Sequence, residues 1–434
     1  MRKSLFFKSA FILLIGSLVT RMLGFVIRIV FTRIIGTDGI NLYSLVMPTY
    51  SLLISLTQLG LPMAISTVVA KGVKRGKKVI VSVAPIILIL NLFMVFTVLF
   101  SAEFIATNLL DEPSAKYPIM SMSLVLPFIS ISSMLRGYFF GKQKMFPHTM
   151  SNAIEQIVRL TIIILFLPRL ISMGTIYGVC GFILLSAISE IISIVVFLFF
   201  LPKNFHMQKD DFKPDIDTTR EVLNICLPSV SGRLVGNVAY FLEPVILTYT
   251  LKAVGYSNSF IVGEYGIYNA YVLPLLVIPS FIVQAISTAL VPEVSKAYQN
   301  RDIITIKKRL KQSLKLSLFL GLFANTLVFI FAEYLLKLVY NTTSGALYIR
   351  VLSLFFVIYN MEGPLSGALQ ALGQTKLAFK STTIGVISRT LSILIISLFN
   401  VGIYGLVVGE ILDIVVVVVL HYKHLIDSIK KIKV

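Results

Sequence analysis

Apolar residues gather along this chain in long blocks separated by short polar breaks. A bilayer-spanning helix needs about 20 predominantly apolar residues at ~1.5 Å rise each. Twelve blocks reach that length, at approximately 9–33, 40–66, 79–101, 117–140, 149–168, 175–201, 221–251, 262–290, 313–338, 345–371, 378–400 and 403–422. Each is bounded by charge, glycine or proline. The pattern predicts an all-α polytopic membrane protein with twelve transmembrane helices.

Composition agrees, with 56% hydrophobic residues, 14% charged residues and a mean hydropathy of +0.89. Soluble domains are roughly half apolar and a quarter charged. The formal charge of +19 could suggest nucleic acid, but its distribution points elsewhere. Most of the 39 Lys and Arg residues fall at the two ends and in the even-numbered loops, such as Lys71 to Lys78 and Arg301 to Lys315. That is the positive-inside bias, and it predicts a cytoplasmic-membrane protein with both termini in the cytoplasm. The opening MRKSLFFKSAFILLIGSLV has the basic start of a secretory signal. No small-residue cleavage site follows, so it reads as an uncleaved first span. Cys180 and Cys226 lie in apolar segments of different spans and read as packing residues.

The two halves repeat one another. Thr20-Arg21-Met22-Leu23-Gly24 in span one matches Gly232-Arg233-Leu234-Val235-Gly236 in span seven. Leu61-Pro62-Met63-Ala64 closes span two and Val291-Pro292-Glu293-Val294 closes span eight. Leu135-Arg136-Gly137 precedes Arg159 by the same 22 residues that separate Gly367, in Leu365-Ser366-Gly367, from Arg389. Ile176-Tyr177-Gly178 and Ile403-Tyr404-Gly405 open spans six and twelve. Four matches in one order predict two six-helix lobes. Six spans return the chain to its starting side, so the lobes are expected to be related by a pseudo-twofold axis along the membrane normal. The expected division is 1–202, a polar cytoplasmic linker at 203–219, and 220–434.

Function is sought in the polar residues within the spans, because a guanidinium at bilayer depth costs roughly 2.5 to 3.5 kcal/mol on insertion scales. Arg21 and Arg28 are seven residues apart and so project from nearly one helix face. Gly24 lies between them and removes bulk. With Arg233 they would suit a phosphate or pyrophosphate, which guanidinium groups bind bidentately. The competing reading has each arginine neutralised by an acid, with Glu243 a partner for Arg233, or reaching toward an interface. Glu155 and Arg159 are spaced i, i+4 in the order that favours an ion pair. Glu190, Glu243, Glu362, Arg389, Glu410 and Asp413 are candidates for cross-helix pairing or for coupling to H+ or Na+. The prolines of spans two and eight read equally as hinges or as plain kinks.

Enzymatic readings find little support. His148, His206, His421 and His424 show no metal-ligand spacing, and no P-loop or dinucleotide-binding pattern occurs. No cofactor is expected. The second functional candidate is a cation-coupled multidrug antiporter of the same architecture, which would favour acids rather than arginines in span one.

A family resemblance adds to this reading. Thr20-Arg21-Met22-Leu23-Gly24, Arg28, Arg33-Ile34-Ile35-Gly36, Leu42-Tyr43 and Gly60-Leu61-Pro62-Met63-Ala64-Ile65-Ser66 resemble the stage V sporulation protein B branch of the polysaccharide exporters. So do Tyr265-Gly266, Leu290-Val291-Pro292-Glu293-Val294-Ser295 and Gly367-Ala368-Leu369-Gln370-Ala371-Leu372-Gly373. That superfamily also holds the multidrug and toxin extrusion proteins and the lipid II flippases. The resemblance implies a transporter that flips a polyprenyl-pyrophosphate-linked sugar by alternating access. It also implies a cationic cavity lined by Arg21 and Arg28, with Arg233 as counterpart. The expected partners are the lipid-linked anionic glycan and the surrounding lipids, and the expected state is a monomer. The sequence departs from lipid II flippases in having no arginine in Ser51 to Gly60.

Overall fold

The computed structural model describes residues 2–72, 76–202 and 215–432, and every regular element among them is helical. The linker expected at 203–219 lies largely outside the described residues, as does His206.

Helix α1 (Arg2–Gln58) carries the first two expected spans as one rod that bends at Gly36, whose φ of 73° and ψ of 179° suit only a residue without Cβ. A second break at Leu59 and Gly60 ends it. Helix α2 (Leu61–Ala70) restarts with Pro62 in its first turn, where a missing N–H loses no hydrogen bond. Four single spans follow: α3 (Gly76–Phe104), α4 (Lys116–Gly141), α5 (Met145–Ser172) and α6 (Thr175–Phe199). After α7 (Ile216–Ala253), the expected eighth span comes in two pieces: α8 (Asn258–Ile267) runs through a π-helical turn at Tyr268–Val272 into α9 (Leu273–Val277), and α10 (Ser280–Gln299) follows a break at Ile278 and Pro279. Pro274 sits in the first turn of α9, and Pro279 immediately precedes α10. Hydropathy along the chain cannot register this break, because the apolar run continues through it.

Asp302 caps α11 (Ile303–Ile330) by accepting the Thr305 N–H at 2.9 Å, and that bonding holds its carboxyl below the ordinary value. The expected ninth span, 313–338, breaks at Phe331, and α12 (Ala332–Tyr340) follows. The chain then runs through α13 (Ala346–Tyr359), α14 (Glu362–Ala371), α15 (Thr375–Ile396) and α16 (Tyr404–Lys430). Ten stretches of the described residues are long and apolar enough to cross a bilayer. The first, Ile15–Ala70, contains the bend and counts as two spans, and α5 with its mid-helix Glu155 and Arg159 completes the twelve.

The chain divides into two compact units, Met1–Phe241 and Leu242–Val434. In the first, α2, α3, α4 and α6 bury a common core of Leu61, Ile65, Val69, Leu135, Phe139 and Phe197. The start of α7 joins it. Val222 and Cys226 pack into the same core, the Thr219 hydroxyl donates to the Ser82 carbonyl at 2.7 Å, and Lys71 pairs with Glu221 at 2.6 Å. Gly137 and Gly141 bring α4 close to α2: a Cβ on them would stand 3.0 Å from the Pro62 carbonyl oxygen and 2.8 Å from that of Ser66. This is small-residue packing, the means by which membrane helices approach without a hydrophobic driving force.

The second unit repeats the device. Leu290, Val294, Leu365, Leu369 and Leu425 form its core, and a Cβ on Gly367 would stand 3.3 Å from Val291 Cγ2. The span-four glycine packs on span two, and the span-ten glycine packs on span eight. Likewise Gly178 abuts Ile171 where α5 turns into α6, and Gly405 abuts Ser397 where α15 turns into α16. The sequence matches therefore correspond to matching contacts within each unit.

Candidate functional site

On α1, Arg21 and Arg28 are both exposed, and Gly24 between them is half-buried. A Cβ placed on Gly24 would meet nothing within 4 Å. Two turns of helix separate the arginines by roughly 10 Å along the axis. The ladder is anchored one turn beyond Arg28, where Phe31 is buried and stacks on Phe182 of α6 with ring centroids 3.6 Å apart. Tyr43 completes that group, 4.7 Å from Phe31 and 5.1 Å from Phe182. On α7, Arg233 is exposed, and Gly236, three residues on, also has open space where its Cβ would be. The Arg-x-x-Gly match thus has the same local character at both positions. The next residue, Asn237, donates to the Ser55 hydroxyl of α1 and ties α7 to α1 within the first unit. Nothing in the sequence marked that contact, since Ser55 lies in an ordinary apolar block.

A second group of polar residues lies behind Tyr43. Arg159 reaches Glu155 on its own helix at 2.8 Å, and Glu155 is buried. Arg28 and Arg159 both act on the Tyr43 hydroxyl through space, and Glu190, Arg136 and Ser193 surround the Glu155 carboxylate. Arg136 donates to Asn152 at 3.5 Å, a weak contact. Ser151 of α5 donates to the Ser193 carbonyl of α6 at 3.0 Å, which fixes the two acid-bearing helices against each other.

The second unit contains a denser cluster. Arg389 of α15 stands 2.5 Å from Glu243 of α7 and 2.6 Å from Glu410 of α16. Glu243, weighed above as a partner for Arg233, is thus engaged by Arg389. The Tyr265 hydroxyl donates to Glu243 at 3.2 Å, and the Tyr268 hydroxyl donates to Glu410 at 3.3 Å. Asp413 is within electrostatic range of Arg389, and Glu362 is within range of Asp413 and Glu410. One guanidinium therefore faces three carboxyls, with Glu362 a fourth acid beside two of them, and Asp413 Oδ1 has no hydrogen-bond partner among the described residues. Acid thus exceeds base in the group, with Glu243 and Glu410 buried and Glu362 and Asp413 half-buried. The two tyrosines were missed in the sequence. Their i, i+3 spacing within an apolar block was the available signal, but their partners lie 22 and 142 residues away. Among the described residues no group of three or more His, Cys, Asp or Glu side chains is arranged to hold a metal ion.

Comparisons with known proteins place this geometry in context. A family model described as polysaccharide biosynthesis protein matches residues 6–298, and one described as MatE matches residues 238–395. The chain is 34% identical over 432 residues to stage V sporulation protein B of Bacillus subtilis (strain 168), covering 97% of this chain and 83% of that one. It is 22% identical over 413 residues to the lipid II flippase MurJ of the same organism, covering 88% and 75%. An inward-facing multidrug resistance MATE family transporter of the MOP superfamily has the same fold, with a TM-score of 0.75 at 16% identity over 95% of each chain.

Proposed function

Because this chain belongs to the polysaccharide biosynthesis protein family, we propose that it flips a lipid-linked, polyprenyl-pyrophosphate-bearing oligosaccharide or peptidoglycan precursor across the cytoplasmic membrane by alternating access. The observation that carries this reading is the Arg21-Gly24-Arg28 surface of α1: two exposed guanidinium groups two turns apart with open space between them. A permanent cation at bilayer depth is tolerated where it meets water or an anion. A pyrophosphate supplies several acceptor oxygens, enough to engage both arginines, with Arg233 as the third. The relative named as a lipid II flippase supports the class of substrate. A drug antiporter of this fold would have to bind cations beside these arginines, which like-charge repulsion opposes.

In this reading the polar head crosses while the prenyl tail stays in lipid, and the protein acts as a monomer with both termini in the cytoplasm. Energy enters through H+ or Na+ at the Glu155–Arg159 and Glu243–Arg389 groups. An acid bound by arginine in one state binds the ion in the other, which gives the ion different affinities for the two states. The test is flipping of a fluorescent polyprenyl-pyrophosphate sugar in proteoliposomes. Arg21→Glu and Arg28→Glu are expected to abolish flipping at unchanged yield and monodispersity. Wild-type rates in both variants would overturn the proposal.

A further inference from the structure

Away from both polar groups, α3 and α4 part to leave a cleft of about 520 Å³ within the first unit. Its lining includes Ile80, Ala84, Leu88 and Asn91 of α3 with Ile131 and Met134 of α4. That volume falls among those of small-ligand pockets. Pro85 and Pro127 also line it, one on each helix. Each ring removes a backbone N–H and displaces the carbonyl four residues earlier, so each helix is locally distorted along the cleft.

Beyond Ile80 and Met134 the helices close again. A Cβ on Gly76 would stand 2.7 Å from Tyr138 Cε2 and 3.3 Å from Lys142 Cε. Between Pro127 and Ile131 of the lining, the Ser130 hydroxyl donates to Asn91 Oδ1 at 3.2 Å, and the Asn91 amide donates to the Ile87 carbonyl at 2.8 Å. Asn91 is the polar side chain of the lining, and with both ends of its amide satisfied the cleft offers little to water. It opens outward past Leu88 and Ile131, which are 71% and 38% exposed.

Charge marks one end of it. Lys77 and Lys78 lie one turn before Ile80, and Lys142 and Lys144 lie two turns or more beyond Met134. Glu103, Asp111 and Glu112 lie at or beyond the far end of α3. Glu103 pairs with Lys116 at 2.9 Å, so the acids exceed the base at that end and an anionic head with an apolar tail is favoured toward the lysines at the other. We propose that the cleft binds an acyl chain of an anionic membrane phospholipid, with its phosphate taken by Lys78 and Lys142. The occupant is not the prenyl tail of the transported molecule, because neither α1 nor α7, which carry the arginines, contributes a lining residue.

The test uses the full chain in phosphatidylcholine nanodiscs doped with phosphatidylglycerol that carries a diazirine in one acyl chain, followed by irradiation and peptide mass spectrometry. Label is expected on residues 80–91 and 127–134, and excess unlabelled phosphatidylglycerol should remove it. Ile131→Trp, which fills the mouth, should lose the label while the protein still elutes as one species. Lys78→Glu with Lys142→Glu should lose the preference for the anionic probe over a zwitterionic one. Should the tryptophan variant fail to fold, the competition on the unaltered chain decides alone. Label spread evenly over the outward face from Leu92 to Phe100, or a polyprenyl phosphate probe that enters the cleft and resists competition by phosphatidylglycerol, would overturn the proposal.

Discussion

Arg389 holds Glu410 at 2.6 Å from a neighbouring helix, whereas Arg159, its counterpart in the first repeat, holds Glu155 at 2.8 Å on its own helix. One position accounts for the difference. Four residues before each arginine stand Glu155 in the first half and Gly385 in the second. A Cβ at Gly385 would run into the Asp413 carboxylate and Val417 of α16. Glycine at 385 leaves the space through which α16 brings its own acids to the arginine. The two halves share the cation and differ in the source of its counterions.

This arrangement predicts unequal consequences. Arg389→Ala strips the counterion from two buried acids, and removing one partner of a buried pair costs about 3–5 kcal/mol. A large fall in melting temperature, read by size-exclusion after heating, is expected. Glu243→Gln and Glu410→Gln added to Arg389→Ala should recover much of it. Arg159→Ala, which deserts one buried acid, should cost less than Arg389→Ala.

Gly24 separates transport from stability. With nothing within 4 Å of a Cβ there, Gly24→Leu enters open space at its first side-chain atom and gains up to ~1 kcal/mol of helix propensity. The melting temperature should hold or rise while flipping falls, because the new side chain fills the space between Arg21 and Arg28. Equal losses of both would place Gly24 in packing.

The twelve spans were legible because an apolar run of membrane length has few other uses, and the repeat was legible because arginine, glycine and proline stand out against an apolar background. The bend at Gly36 falls in the polar gap between the first two blocks and was legible too, but the breaks at Leu59 and Phe331 were not, since a chain can turn within an apolar run without changing its hydropathy. Of the candidate site, the Arg21–Arg28 face followed from helical spacing alone. The Glu243–Arg389–Glu410 group did not, because its three members come from α7, α15 and α16, and a single sequence names the charges without pairing them.

The glycines of α4 and α14 differ in what they face, and their substitution should rank accordingly. Gly137 meets the Pro62 carbonyl at 3.0 Å, a backbone atom that cannot rotate away, whereas Gly367 meets Val291 Cγ2 at 3.3 Å. Overpacking costs typically about 1–3 kcal/mol, and Gly137→Ala should lie at the upper end with Gly367→Ala at the lower. Melting temperatures of the two variants check the order.

Lys71 and Glu221 make a short ion pair, 2.6 Å, but both are open to solvent. Exposed pairs contribute about 0–1 kcal/mol, so a double-mutant cycle of Lys71→Ala and Glu221→Ala should return a coupling within that range. A larger value would mean that the α2–α7 contact is shielded in the intact protein.

The central claim is that Arg21, Arg28 and Arg233 receive a pyrophosphate headgroup. Native mass spectrometry of the protein purified from membranes tests it most directly. The account predicts a bound polyprenyl-pyrophosphate species on the unaltered chain, lost in Arg21→Glu and Arg28→Glu while phospholipid adducts persist. Equal retention of that species by the charge-reversed variants would contradict it.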